Sequence, residues 1–362
     1  MLQFKYGGCE RIFINIAKAL KIQLYLVLLT DNIDVELFQQ IPPNVKVIFK
    51  GKRNIINNPI NTIIGILYAR YAIRDFFGKD EYVVINFNDT LSTLLTCYLS
   101  SSGCLMSWIH CRPEALKLSR IFPLYSYLLS KCDKIITICN EQKHELLKTI
   151  PSIIKNRVVV IYNPIDFGDI HIKSNEEIEY VSDKRKILMV GRLDTRSKDY
   201  YTLIDAFRKA HFKIKDIQLL IIGDGSDKEK IMKYSEPDKD LRDIIFLGPQ
   251  NNPYKWMSSS DLFILSSKSE GLPTVILEAL ACGSFVISSD CQTGPKEILM
   301  SEHPCGMIFP IGDSNDLADK IAQFFNNEID VSYFKKNVIQ RLRDFSFETF
   351  VQKFNDLIYE GN

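Results

Sequence analysis

Short apolar runs rich in β-branched residues alternate along the whole chain with longer stretches whose apolar positions recur every three to four residues. That alternation predicts strand–helix units on parallel sheets, because a buried parallel strand is apolar on both faces while its covering helix shows one apolar stripe. In the first half, strands are expected at 23–29, 45–49, 82–87, 105–109, 134–139 and 158–162, with helices at 10–20, 61–77, 90–99, 116–130 and 141–149. A second series of strands runs through 186–190, 218–222, 244–247, 262–266, 285–288 and 306–309, with helices at 201–209, 227–234, 254–258, 274–281, 295–300 and 315–326. Residues 166–185 between the two series are polar, charge-mixed and without a period, as an interdomain linker would be. The expected architecture is α/β: two doubly wound domains, 1–165 and 186–345, with 346–362 as a closing helix. Ligands of such sheets bind at the carboxyl ends of the strands, so a cleft between the domains is the expected site.

Composition narrows the partners. At 362 residues the chain exceeds one ordinary core, and 46% hydrophobic with 25% charged residues is a globular balance. A net charge of +1 supplies no global field to recruit nucleic acid. Nine cysteines, an odd number without CxxC spacing and mostly in apolar runs, point to reduced core thiols in a cytoplasmic protein. No apolar run reaches the roughly 18 residues of a membrane span, and no signal peptide opens the chain, so spanning and secretion by that route are not expected.

The sharpest chemistry lies in Ser269-Glu270-Gly271-Leu272-Pro273-Thr274, which continues through Glu278 to Gly283. A strand, a tight loop and a helix start bring free N–H groups and the positive end of the helix dipole to one place, where a diphosphate fits. Pro273 suits the first turn and Gly283 the stop. Glu270 in the loop and Glu278 within the helix can both accept hydrogen bonds from sugar hydroxyls, although read alone each could be a solvated surface carboxylate. In Gly191-Arg192-Leu193-Asp194-Thr195-Arg196-Ser197-Lys198 another strand ends beside two cations, Arg192 and Lys198, suited to phosphate oxygens. Arg196 reads as a solvated loop residue. Gly223-Asp224-Gly225 is a further strand-end turn, weak by itself.

Taken in order over nearly the whole chain, these segments, with Asn163-Pro164-Ile165-Asp166, resemble glycosyltransferase family 4, retaining enzymes of the GT-B fold. The resemblance implies that Arg192 and Lys198 hold the donor diphosphate, Glu278 the nucleotide ribose and Glu270 the donor sugar. It also implies that the backbone of Gly271, Leu272, Pro273 and Thr274 contacts sugar and phosphate, that neither metal nor cofactor is needed, and that the last helix crosses back to the first domain. In the first domain Gly7-Gly8-Cys9-Glu10-Arg11 is similar to the family's glycine loop, with Gly8 near the donor. His110, after Trp108-Ile109, is similar to its strand-end histidine and would contact the donor sugar or position the acceptor; a hydrogen-bonded core histidine is the plain alternative. His144, His171, His211 and His303 read as surface. The strand expected before the glycine loop, 1–6, is short and poorly apolar.

The implied function is transfer of a hexose or N-acetylhexosamine from a nucleotide-sugar, a UDP-sugar foremost, to a glycan or lipid-linked acceptor. The loop Thr293-Gly294-Pro295-Lys296-Glu297 resembles a variant found in bacterial polysaccharide enzymes. A sugar-nucleotide epimerase of the same fold and a non-catalytic nucleotide-sugar-binding subunit are the alternatives. Peripheral docking on the inner face of a membrane is a further expectation. It rests on Lys52, Arg53, Arg70, Arg74, Arg112, Lys117 and Arg120 beside apolar helices that carry Ile121, Phe122, Leu124 and Tyr125. Against it, such stripes commonly pack into a core.

Overall fold

The computed structural model describes residues 8–51, 59–112, 120–180, 182–236 and 243–359. The chain divides into two compact units, Met1–Pro164 with Phe347–Asn362, and Ile165–Ser346.

In the first unit β1 (Leu24–Leu28) pairs in parallel with β2 (Val45–Lys50). A second parallel sheet runs β3 (Val84–Asn86), β4 (Leu105–Ile109), β5 (Lys134–Thr137) and β6 (Val158–Val160) in chain order. The described strands of this unit thus form two sheets where one was expected. The candidate strand 1–6 lies outside the described residues. Every residue of β4 is buried, as a central parallel strand requires, and Leu105 and Ile109 join Leu94, Leu129, Ile135 and Leu146 in one core. The closing helix, Phe347–Tyr359, belongs to this unit: the buried Trp108 ring stacks on Phe350 at 6.0 Å and on Phe354 at 6.3 Å.

Two helices bear on the membrane expectation. Pro59–Phe77 turns Ile66, Ala69 and Ile73 inward, yet Ile60, Ile63, Ile64, Leu67, Tyr68 and Tyr71 face outward, from 44% exposed at Ile64 to 69% at Tyr71. A helix apolar on both sides leaves one of them in water. On Phe122–Ser130, Leu124 is exposed, as is Ile121 before it, but Tyr125 is buried and Phe122 packs on the core, which corrects half of the expected row. Of the expected 116–130 helix, residues 116–119 lie outside the described residues, as do Lys52, Arg53 and Lys117.

The second unit is one parallel sheet of β7 (Arg185–Val190), β8 (Ile217–Ile222), β9 (Ile244–Gly248), β10 (Leu262–Leu265), β11 (Phe285–Ser289) and β12 (Met307–Phe309), in the order β12-β11-β10-β7-β8-β9. The direction of winding reverses between β7 and β10, and that switch point is where such sheets hold ligands.

Two readings are corrected here. The stretch taken as a linker contains a helix, Phe167–Ser174, and packs within the second unit: Asn252 Nδ2 donates to Lys173 O at 2.8 Å and Ser258 Oγ to Ser174 O at 2.7 Å. With Ile170 its one buried residue, this helix has too few apolar positions to display a period. Helix Val331–Arg343 was not expected either. Its buried residue is Arg341, which donates to Glu297 O at 2.7 Å and Ile298 O at 3.2 Å, and the half-buried Phe334 packs edge-on against Phe285 at 5.4 Å, so its inner face mixes a cation with an aromatic ring.

Candidate active site

The two loops at the switch point are joined by backbone. After β7, residues 191–199 run against the loop that follows β10: Asp199 N–H donates to Ser266 O at 2.9 Å, Lys268 N–H to Ser197 O at 2.8 Å, and Lys198 bridges to Ser267. This pairing sets Lys198 Nζ 2.5 Å from Glu270 Oε1, and the Ser267 hydroxyl donates to the same oxygen at 2.6 Å. Both charged side chains are nearly enclosed, 13% exposed for Lys198 and 15% for Glu270, so their attraction is only partly screened. Arg192 is exposed at the mouth of the same loop, with no ion-pair partner among the described residues. Arg196 is spent on Asp194, whose carboxyl its donated hydrogen bonds hold down to about 2.

Glycines make the close approach possible. A Cβ on Gly223, at φ +143°, would lie 1.9 Å from Gly191 O, and one on Gly225 2.4 Å from Leu193 O. The turn read as weak in sequence is therefore the floor under Gly191-Arg192-Leu193. Leu193 N–H donates to Asp224 O at 3.0 Å. Asp227, which sequence reasoning missed, accepts from both Thr195 N–H at 2.9 Å and Thr195 Oγ1 at 2.8 Å, and these bonds draw its carboxyl down to about 2.

On the β10 side, Pro273 sits at the N-cap rather than inside the first turn, and the helix runs Thr274–Ala281. Gly283 N–H donates to Leu280 O at 3.0 Å and Ser284 N–H to Ala279 O at 3.1 Å, with Gly283 at φ +85°, a Schellman stop. Gly271, Leu272, Pro273 and Thr274 thus precede or open a helix whose first N–H groups have no carbonyl behind them. Glu278 is half-buried on the second turn of that helix. The loop after β11 supports the whole assembly. Thr293, in the left-handed region at φ 67°, donates from its hydroxyl to Glu270 O, and a Cβ on Gly294 would lie 2.6 Å from Gly271 O. Nothing in the local sequence announces that contact, because it joins loops of neighbouring strands.

Gly8 and His110 belong to the first unit. Gly8 opens helix Gly8–Leu20; Gly7 lies outside the described residues. His110 follows β4, buried at 8% exposure, stacked parallel to Trp108 at 6.0 Å and tilted on Phe87 at 4.5 Å. Among the described residues neither Nδ1 nor Nε2 has a hydrogen-bond partner, where a satisfied core histidine was the plain alternative. Burial pushes its pKa down to about 3, so the ring is neutral and offers one donor and one acceptor. Asp89, also missed in sequence, follows β3 and accepts from His110 N–H at 2.9 Å and Cys111 N–H at 2.6 Å through Oδ2. Burial outweighs those two bonds and pushes its carboxyl up to about 6.

Further residues depart from expectation. His211 is half-buried, with Nε2 2.9 Å from Asp243 Oδ2, and so is not a surface histidine. Cys132, Cys139, Cys291 and Cys305 are buried free thiols, but Cys111 is exposed. Among the described residues no group of three or more His, Cys, Asp or Glu side chains converges as metal ligands would.

Residues 172–341 match the family model described as glycosyl transferases group 1. The chain is 27% identical over 353 residues to an uncharacterized glycosyltransferase of Methanocaldococcus jannaschii, covering 84% of this chain and 86% of that protein. It is 26% identical over 324 residues to an N-acetylgalactosamine-N,N'-diacetylbacillosaminyl-diphospho-undecaprenol 4-alpha-N-acetylgalactosaminyltransferase of Campylobacter jejuni, covering 86% and 85%. Anabaena HepE, solved with UDP-glucose, superposes with a TM-score of 0.78 at 17% identity over 99% of both chains. Structural neighbours of this kind establish the fold as GT-B, with parallel sheets in two Rossmann-like domains.

Proposed function

The chain is a glycosyltransferase, and on that premise we propose that it moves a hexose or N-acetylhexosamine from a UDP-sugar, with retention at the anomeric carbon, to a glycan or lipid-linked acceptor in polysaccharide assembly. The observation that carries this reading is the switch-point cluster, in which Lys198 pairs with Glu270, Arg192 lies exposed in the same loop as Lys198, and the helix that opens at Thr274 follows Glu270 in the chain. Cations and N–H donors at this point match the charge that develops on a departing diphosphate. The bond from the anomeric carbon to the diphosphate oxygen breaks and its electron pair stays on UDP. The acceptor oxygen bonds to the same face, and its proton passes to the leaving phosphate.

In this reading Arg192 and Lys198 do the neutralising that a metal would do elsewhere. Glu270, already engaged by Lys198 and Ser267 through Oε1, orients sugar hydroxyls rather than attacking the anomeric carbon. Glu278 accepts from the ribose.

The test is thermal stabilisation by UDP, where a ligand at about 100 times its Kd adds roughly 2.7 kcal/mol. Glu278→Ala is expected to abolish most of that shift, while Glu270→Ala keeps it and loses turnover of the sugar donor. Equal loss of UDP binding in both variants contradicts the assignment.

The acceptor of the Campylobacter relative is, by its name, attached to diphospho-undecaprenol, and a lipid-linked acceptor would bring this chain to the cytoplasmic face of a membrane. No helix among the described residues is long and apolar enough to cross one. The outward row from Ile60 to Tyr71, with Arg74 exposed on the same helix, supports interfacial docking instead. Leu67→Glu with Tyr68→Glu should therefore abolish co-sedimentation with vesicles of mixed anionic and zwitterionic phospholipid. Equal sedimentation of variant and unaltered protein rules docking by this face out.

A further inference from the structure

We propose that Tyr200 is a positioning residue of the diphosphate site, its buried hydroxyl gathering the carbonyls of Gly191 and Arg192 and so setting the turn that presents Arg192. The inference rests on the sugar-transfer reading and adds a residue that this reading does not use. Tyr200 opens helix Tyr200–Lys213 and is 0% exposed. Its Oη lies 3.0 Å from Gly191 O and 3.3 Å from Arg192 O. Successive carbonyls of an extended strand point to opposite sides, so two that converge on one donor mark the place where the chain leaves β7 and turns. The helix that carries the phenol is fixed at the same end. Asp199 caps it, accepting from Thr202 Oγ1 at 2.8 Å, and Asp199 N–H is held by Ser266 O at 2.9 Å.

A phenol has a single hydrogen to share between the two carbonyls. Arg192 O also accepts from Asp194 N–H at 2.9 Å, so Gly191 O is the one that depends on Tyr200. That oxygen is closed in on another side, where a Cβ on Gly223 would lie 1.9 Å from it. An enclosed carbonyl without its donor is costly, so the turn would shift to find another, and Arg192, the next residue, would shift with it. Lys198 is drawn into the same packing. A Cβ on Gly191 would meet Lys198 Cε at 3.2 Å and Tyr200 Oη at 3.4 Å, so one glycine separates the lysine stem from the hydroxyl. Burial first, and the Glu270 carboxylate second, push the phenol's pKa up, which keeps it protonated and able to donate. Filling the core asks only for the ring. The hydroxyl reaches back nine residues, into the loop that carries both cations.

Tyr200→Phe removes the hydroxyl and keeps the ring. Isothermal titration should show UDP bound about 3- to 10-fold more weakly, the scale of one neutral hydrogen bond. A lower melting temperature alone does not separate positioning from packing, so the deciding measurement is a double-mutant cycle with Arg192→Ala. Without the Arg192 guanidinium there is no cation left for the turn to present, and adding Tyr200→Phe should then change the Kd by less than about 2-fold. An equal fold-loss in both backgrounds, or an unchanged Kd in folded Tyr200→Phe, overturns the proposal. Phe207→Leu, a change at a buried residue of the same helix, should lower the melting temperature and leave the Kd unaltered. Weakening there as large as in Tyr200→Phe would mean that any softening of the helix suffices, and overturns it too. If Tyr200→Phe does not fold, Gly191→Ala decides, because its Cβ presses on the hydroxyl and the Lys198 stem together. Weaker UDP binding in that variant supports the proposal, and an unchanged Kd overturns it. If the unaltered protein binds no UDP, the transfer reading fails first and takes this inference with it.

Discussion

Lys198→Ala should weaken UDP binding by about 1.5 to 3 kcal/mol, roughly 10- to 150-fold, and lower turnover of the sugar donor at least as much. The cation sits at the carboxyl edge of β7, fixed by the bridge to Ser267, and its Nζ already lies against Glu270 Oε1 at 2.5 Å. Removing it takes away a diphosphate partner and leaves a nearly enclosed carboxylate with the Ser267 hydroxyl alone. The second effect lowers stability by itself, so a loss of binding has to be separated from a loss of fold. Combining Lys198→Ala with Glu270→Gln removes the stranded charge, and the double variant should recover much of the melting temperature without recovering UDP affinity. Arg196→Ala is the control: its side chain is 83% exposed and tied to Asp194, and UDP affinity should not change. Isothermal titration with UDP on all four proteins decides the matter. An unchanged Kd in folded Lys198→Ala would show that the cluster does not grip the diphosphate.

The other large effect is structural. Gly223→Ala is expected to destabilise the second unit by about 3 kcal/mol or more, as steric overlap and backbone strain add. Its Cβ would fall 1.9 Å from Gly191 O and 3.0 Å from Gly191 C, backbone atoms that cannot swing aside, at a φ of +143°. For a unit of this size that is a fall in melting temperature of roughly 6–12 °C. Gly283→Ala isolates the strain, since φ is +85° there but nothing lies within 4 Å of the added carbon; it should cost only about 1 kcal/mol. Because Gly191 leads directly into Arg192, Gly223→Ala should also weaken UDP binding, whereas Gly283→Ala should leave it intact. Similar melting temperatures for the two variants would mean that the Gly223–Gly191 approach is not a tight one.

The sequence by itself determined the elements whose information is local. A parallel strand buried on both faces must be an apolar run, so β4, β8 and β10 are visible as such, and Pro273 and Gly283 bracket their helix because caps and stops depend on single residues. Arg192, Lys198, Glu270 and Glu278 were legible as candidates because strand-end loops and a helix start are themselves local features. Sequence could not carry what depends on residues far apart in the chain meeting in space. The Lys198–Glu270 pair spans 72 positions, the Thr293–Glu270 support 23, and the Asp89–His110 bond 21. Whether an apolar row faces a core or water was also undecidable from period alone: Tyr125 went inward and Leu124 outward from adjacent positions, and the Ile60–Tyr71 row stayed exposed. Helix Val331–Arg343 was overlooked although Phe334 packs on Phe285, because its one buried residue is Arg341, which becomes inward only once the Glu297 and Ile298 carbonyls are set beside it. Tertiary structure made these decisions because burial and charge pairing are properties of a place, and a place exists only after the strands have found their order.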